Sequence, residues 1–416
     1  MAHFGIICPP VPGHVDPLAA LGRTLTGRGH RVTFFHVSDL APKIQSEGLE
    51  FVALGPDRFP PGTLQESVRQ LAALKGIASF KFVVECECRI SSLILDYGPA
   101  AIAGAGVDAL LVDQNEPAGG TVAEHLDLPF VSTCTSLPLN RETDIPPPFV
   151  GWSYRPDPVG RVRNRLGYAI SDRFIAPIQR TLNDRRRLWN LRPLTSPDDS
   201  FSTRAQIAQM PREFDFPRRR LPLAFSYTGP WFDDRLNSVS FPFDRLDGRP
   251  MVYGSLGTLQ PEQSPYFRMM AEACSTLDVQ LVLSLGKTEN VEVETLPGNP
   301  VVVPYAPQLA LLSRAAAVIT HSGMNTTQQS LFFGAPLVAI PLAHDQPAIA
   351  ARTARSGAGI AIPPKILNIE RLRSALRQVL QRNGRWQAHA GDMQQASRRA
   401  GGCERAATII ESVLCR

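Results

Sequence analysis

The chain predicts two α/β domains, each built on a doubly wound, Rossmann-like parallel sheet. Three observations lead there. At 416 residues the chain exceeds what one compact core normally holds. Short apolar runs alternate with helical segments, the order that buries a parallel sheet between helices. That alternation stops in a Pro-rich stretch, Pro230 to Pro250, and then begins again. The boundaries expected are 1–230 for the first domain, 231–250 for a linker and 251–416 for the second, with the closing helix packing back on the first.

Composition narrows the function classes. A hydrophobic share of 44% and a charged share of 19% belong to a folded globular chain. The net charge of +5 suits an anionic partner without demanding one, and no basic–aromatic motif points to nucleic acid. Seven cysteines without paired spacing favour a reducing compartment. Cys86 and Cys88 fall in a helical stretch, where a separation of two turns them apart, so no metal site is expected there. Pro9, Pro10 and Pro12 interrupt the leading apolar run, and no apolar stretch reaches the ~18 residues of a membrane span. A cytoplasmic location is expected.

In the first domain His3–Cys8 reads as a strand, followed by a Pro/Gly loop and a helix from about Asp16 to Arg28. Arg31–His36 and Glu50–Leu54 follow as strands, with Gly29 and Gly48 placed where helices end. Ser92–Gly104 is helical, and Ala109–Val112 and Pro129–Thr133 complete the strand set. Thr143–Arg192 changes character: Pro146–Pro148, Phe149, Trp152, Tyr154 and many arginines mark an insertion with its own helices. Arg185–Arg187 read as a solvated helix face, and Arg218–Arg220 as part of a Pro-rich approach to the second domain. There the expected order is strand Met251–Ser255, helix Pro265–Leu277, then strands Gln280–Leu285, Pro300–Pro304, Ala317–Thr320, Pro336–Pro341 and Ile360–Ile362. Helices at about Ile369–Gln381 and Cys403–Leu414 close the chain.

The chemistry concentrates at strand ends. A Gly-x-Gly-x-x-Gly fingerprint is absent after the first strand, where Pro9-Pro-Val-Pro-Gly13-His14 stands, which argues against hydride transfer on a dinucleotide. His14 in that loop and Asp113 at the end of a later strand share the sheet edge where ligands bind. A carboxylate on Nδ1 would fix the ring and leave Nε2 to take a hydroxyl proton. In the second domain a strand runs into His321, a turn at Gly323 and a helix opening near Asn325 and Thr326. Such a helix start offers free N–H groups and partial positive charge to a phosphate. Ser255, Gly257 and Thr258 form a second small-residue loop. Tyr305 could stack on a base with Gln308 hydrogen-bonding beside it, and Asp345 with Gln346 could hold sugar hydroxyls. No Asp-x-Asp metal motif is visible, so the helix start and His321, rather than a divalent ion, are expected to stabilise a leaving diphosphate.

The run Tyr305-Ala-Pro-Gln308, Val318-Ile-Thr-His-Ser-Gly-Met-Asn-Thr326 and Ile340-Pro-Leu-Ala-His-Asp-Gln346 resembles the donor-binding motif of the nucleotide-sugar-dependent glycosyltransferase superfamily. Val112-Asp-Gln-Asn-Glu-Pro-Ala-Gly119, Leu137-Pro-Leu-Asn-Arg-Glu142 and Asp215-Phe-Pro-Arg218 resemble its bacterial carotenoid-modifying branch. The resemblance implies the GT-B architecture, two facing Rossmann-like domains with the active site in the cleft between. It further implies a metal-independent, inverting transfer of glucose from UDP-glucose to a hydroxyl of a carotenoid such as zeaxanthin, with no cofactor. Glu116, Phe149 and Trp152 would then bind the acceptor, and the Arg-rich stretch Arg155–Arg187 would draw the protein peripherally to an anionic membrane. Two positions depart from the superfamily: Tyr305 stands where Trp is common, and Gln329 where a carboxylate usually grips the ribose. An amide accepts at one end only, which leaves a thymidine donor open. The alternatives are another hydrophobic acceptor (macrolide, flavonoid or sterol), a sugar-nucleotide epimerase of the same architecture, and a non-catalytic sugar-nucleotide binder.

Overall fold

The computed structural model describes residues 1–74, 76–233, 239–257, 264–286 and 296–414. The first domain runs β1 (His3–Ile7), α1 (Pro12–Gly27), β2 (Arg31–His36), α2 (Ala41–Ser46), β3 (Glu50–Ala53), α3 (Thr63–Ala73), α4 (Gly76–Ala105), β4 (Ala109–Asp113), α5 (Ala118–His125), β5 (Phe130–Cys134), α6 (Pro158–Leu188), β6 (Ala205–Ala208) and β7 (Phe225–Tyr227). The second runs β8 (Met251–Ser255), α7 (Ser264–Cys274), β9 (Gln280–Ser284), β10 (Val301–Val303), α8 (Gln308–Leu312), β11 (Ala315–Thr320), α9 (Met324–Phe332), β12 (Leu337–Ala339), α10 (Gln346–Ser356), β13 (Gly359–Ala361), α11 (Ile369–Val379), α12 (Arg385–Arg399) and α13 (Gly402–Val413).

Both sheets are parallel throughout. Their orders are β3-β2-β1-β4-β5-β6-β7 and β10-β9-β8-β11-β12-β13. β1, β4, β8 and β9 are buried along their whole length, which is why they read as continuous apolar runs rather than alternating ones. In each sheet the winding reverses between two neighbours, β1 and β4 in the first, β8 and β11 in the second. Open α/β sheets bind ligands in the crevice at such a reversal. The α13 residues Ala406, Ala407, Ile410 and Val413, and Trp231 from the connecting stretch, lie in the core of the first domain.

Several elements differ from expectation. β6 and β7 were not anticipated: four and three residues carry too little pattern, and pairing with β5 makes them strands. α12 escaped for a similar reason, since its buried stripe is mostly small: Ala390, Met393, Ala396 and Ser397. The insertion is dominated by one 31-residue helix, α6, with Pro177 inside it. Ser92–Gly104 is the end of α4, which begins at Gly76. Arg186 is not solvated; it is buried, donating to Glu124 Oε2 at 2.6 Å and to the Arg192 carbonyl. Among the described residues no helix is long and apolar enough to cross a membrane.

Candidate active site

Pro12 opens α1, because its fixed φ suits a first turn and its missing N–H is not needed there. The helix therefore starts one turn before the expected Asp16, and His14 lies in its first turn rather than in a loop. β4 neighbours β1 and ends on Asp113, so the sheet brings together two residues 99 positions apart. His14 Nδ1 lies 3.0 Å from Asp113 Oδ2 and 2.7 Å from Thr135 Oγ1. The Thr135 hydroxyl donates to the same carboxylate oxygen at 2.5 Å, while Asn115 donates to Oδ1 through its backbone N–H at 2.8 Å and its side chain at 3.1 Å. Every donor here favours an ionised Asp113 and a hydrogen on His14 Nδ1, which leaves the Nε2 lone pair for the cleft.

Burial alone would lower the pKa of His14. The Asp113 charge and hydrogen bond, helped by Asp345 and Glu87, outweigh it and raise His14 above the ordinary 6.5. Asp113 shows the complement: burial pushes its carboxyl up, but His14, Thr135 and the Asn115 backbone hold it below its usual range. Thr135 was missed in the sequence. Its signal is positional: it follows β5, where Thr133 is in register with Asp113. Glu87 on α4 was missed too. It lines the cleft, and burial raises its carboxyl to about 7 against the opposing pull of His14.

Two acceptor-site expectations are corrected. Glu116 does not line the cleft; it is fully buried against α4, accepting from Ser91 Oγ at 3.2 Å. Burial and the nearby Glu87 push its carboxyl well above the usual carboxylate range. Trp152 turns away from the cleft, with its ring packed on Gly167 of α6 and the Arg163 guanidinium 4.9 Å from its centroid. Phe149 does line the cleft.

On the facing side, β8 ends at Ser255 and turns through Gly257, while β11 ends beside His321. Thr258 lies outside the described residues. The His321 ring is wedged between two glycines: a Cβ on Gly257 would sit 2.8 Å from it, and one on Gly323 only 2.4 Å. Ser322 takes the left-handed conformation (φ 68°), a cost that persists where the fold over-determines a turn. Burial pushes His321 down to about 4, so at neutral pH it is an uncharged imidazole beside the N-terminus of α9. Positive potential at this point therefore comes from the helix rather than from the ring.

Tyr305 is exposed and lines the cleft. Gln308 Nε2 donates to Gln329 Oε1 at 2.5 Å, and Gln308 Oε1 accepts from the Tyr253 hydroxyl at 3.3 Å. Thr326 faces the cleft beside them. Asn325 is committed elsewhere than to a phosphate: its Oδ1 accepts from Gln209 at 2.9 Å and its Nδ2 donates to the Gly13 carbonyl at 3.3 Å, joining the two domains. The Gln346 carbonyl is likewise taken, accepting from the Leu342 and Ala343 N–H groups at 2.8 Å each, so only its amide is left for a ligand. Asp345 accepts from Ser136 Oγ across the cleft. Together these residues enclose about 1720 Å³, apolar along α3, α4 and α6 and polar along the second domain.

Facing Rossmann-like sheets, with a histidine–aspartate pair at one reversal and a helix N-terminus at the other, define a GT-B glycosyltransferase. The chain is 36% identical to the zeaxanthin glucosyltransferase of Pantoea ananas, over 100% of its own length and 96% of that protein's. It is 32% identical to that of Pseudescherichia vulneris, over 100% and 98%. Residues 268–401 match the family model described as the erythromycin biosynthesis protein CIII-like C-terminal domain. Among solved structures, the calicheamicin glycosyltransferase CalG4 shares the fold with a TM-score of 0.79 at 22% identity, covering 100% of this chain and 99% of that one. The glycosyltransferase VinC in complex with dTDP gives 0.71 at 19%, with the same coverage. The chain belongs to the glycosyltransferase family that includes the zeaxanthin glucosyltransferases.

Proposed function

We propose that the enzyme transfers glucose from UDP-glucose to a ring hydroxyl of a carotenoid of the zeaxanthin type, with inversion at the anomeric carbon. The observation that supports this reading is that His14, paired with Asp113, lines a single cleft that is apolar along the first domain and polar along the second. His14 takes the proton as the acceptor oxygen bonds to the anomeric carbon. The bond from that carbon to the diphosphate oxygen breaks, and the diphosphate leaves toward the start of α9. Base and leaving group stand on opposite domains, so attack comes from the face opposite the leaving oxygen and one displacement inverts the centre. Asp113 and Thr135 hold the ring and stabilise the imidazolium as it forms. Tyr305 stacks on the base, Gln308 and Gln329 meet the ribose, and Asp345 with the Gln346 amide holds glucose hydroxyls. The leaving diphosphate has the N–H groups of α9 and a neutral His321 to bind it, so we expect turnover without a divalent ion.

Gln329 favours a second donor reading. With its oxygen engaged by Gln308, it offers less to a ribose 2′-hydroxyl than a carboxylate does, which suits a thymidine diphosphate sugar.

The test is an assay in EDTA with UDP-glucose and dTDP-glucose, offering detergent-dispersed zeaxanthin beside macrolide, flavonoid and sterol alcohols, read by mass spectrometry and anomeric NMR. Singly and doubly hexosylated zeaxanthin of inverted configuration is the expected result. Transfer to another acceptor alone overturns the carotenoid reading. Turnover restored only by added Mg²⁺ overturns the metal-free step.

A further inference from the structure

α6 carries two faces with different surroundings. Ser171, Ile175, Ile178 and Leu182 face the cleft. On the opposite side Val159, Val162, Leu166 and Ile170 recur every three or four residues, which aligns them in one stripe, and each is between 55% and 61% exposed. Scattered exposed aliphatics are ordinary, but an aligned row marks an interaction surface.

The arginines of the helix divide in the same way. Arg161 pairs with Asp144, Arg185 with Asp96, Arg186 with Glu124 and Arg187 with Asp184, so these charges are spent within the protein. Arg165, Arg173 and Arg180 are exposed and have no ion-pair partner among the described residues. Arg165 adjoins Leu166, and Arg173 and Arg180 extend the row beyond Ile170. An aliphatic row edged by unpaired guanidinium groups is complementary to a surface with an apolar interior and an anionic face.

The stripe also leads to the cleft. Phe174, one turn past Ile170, meets Phe80 of α4 with ring centroids 5.0 Å apart. Phe80 and Val68 are both exposed and both line the cleft mouth. A continuous apolar path thus runs from the outside of α6 over this aromatic pair into the acceptor arm.

We propose that this face of α6 docks on an anionic lipid bilayer, and that a membrane-dissolved acceptor enters past Phe174 and Phe80. The entry route rests on the apolar-acceptor reading above; the docking itself does not.

Flotation of the full chain with phosphatidylcholine vesicles, with and without phosphatidylglycerol, tests it. The protein is expected to float with the anionic vesicles and to be released by salt. Arg165→Glu with Arg173→Glu should weaken partition by about tenfold or more. Leu166→Glu with Ile170→Glu should abolish it. Both variants should keep the far-UV circular dichroism of the parent and its turnover of a water-soluble hydroxylated acceptor. A parent that stays in the soluble fraction with anionic vesicles overturns the proposal, as do variants that float as well as the parent. So does a dimer in sedimentation velocity that Leu166→Glu with Ile170→Glu splits, since the stripe would then join two copies of the chain. Flotation needs no carotenoid, so its outcome is independent of which acceptor the transfer assay identifies.

Discussion

Arg352 on α10 donates its Nε to Asp215 Oδ1 at 2.8 Å, and neither side chain meets solvent. Asp215 Oδ2 is filled by Arg218 Nε at 2.6 Å and the Tyr227 hydroxyl at 2.9 Å, and the Arg352 guanidinium lies 4.2 Å from the Phe216 ring centroid. A charge from the second domain is thus locked into the first, away from any water that could replace a lost partner.

Burial alone would raise the Asp215 carboxyl, but Arg218 and Arg352 hold it down to about 2. A depressed carboxylate contributes stability that is full above its ordinary pKa of 3.8 and lost as pH falls through its folded value. Thermal unfolding between pH 5 and pH 2 should therefore show the parent losing stability most steeply below about pH 4. Asp215→Asn should lack that part of the loss; parallel curves would contradict it. At neutral pH Arg352→Leu should cost about 1–3 kcal/mol, since Asp215 loses one charge-assisted hydrogen bond but keeps Arg218 and the Tyr227 hydroxyl.

His14→Ala should lower transfer by ~10²–10⁴-fold while leaving UDP affinity near that of the parent, measured by calorimetry. Loss of UDP binding instead would make His14 structural.

The acid limb of the pH–rate profile should follow His14. The base works when neutral, and its pKa is raised, so kcat/KM should fall as pH drops through a value above the ordinary 6.5. Asp113→Asn removes the largest raising charge, so the limb should move to lower pH even as the maximal rate falls. An unmoved limb would detach Asp113 from the base.

Gln329→Glu keeps an acceptor for Gln308 and adds one for the ribose. The ratio of kcat/KM for UDP-glucose over dTDP-glucose should rise by roughly tenfold, the worth of one charge-assisted hydrogen bond. No change in that ratio would remove Gln329 from the ribose site.

Asp345 accepts a hydrogen bond from the Ser136 hydroxyl of the opposite domain, and sugar hydroxyls would have to replace that partner. Asp345→Ala should reduce kcat/KM for UDP-glucose by about tenfold or more with little effect on inhibition by UDP, which carries no sugar. Equal losses for both would place Asp345 at the diphosphate.

The donor side was the more legible in sequence because its geometry is local. Thr320, His321, Ser322 and Gly323 form one strand-to-helix turn, and residues that set such a turn are neighbours in the chain. The same holds for Pro12, which announces a helix start even though the start was expected a turn later. Side-chain partners were less legible. Asn325 sits where the motif puts it, yet its hydrogen bonds go to Gly13 and Gln209, groups brought close only by folding.

By itself the sequence determined the repeated strand–helix order, the two domains it implies, the helix-capped turn at His321 and the family resemblance. All follow from residue type and spacing over short runs. Only the tertiary structure decided that Thr135 joins His14 and Asp113, that Glu116 is sealed behind the cleft and Trp152 turned from it, that Arg352 reaches Asp215, and that one face of α6 is left apolar in water. These relationships depend on sheet order and domain docking, which join residues far apart in the chain through packing that no short stretch encodes.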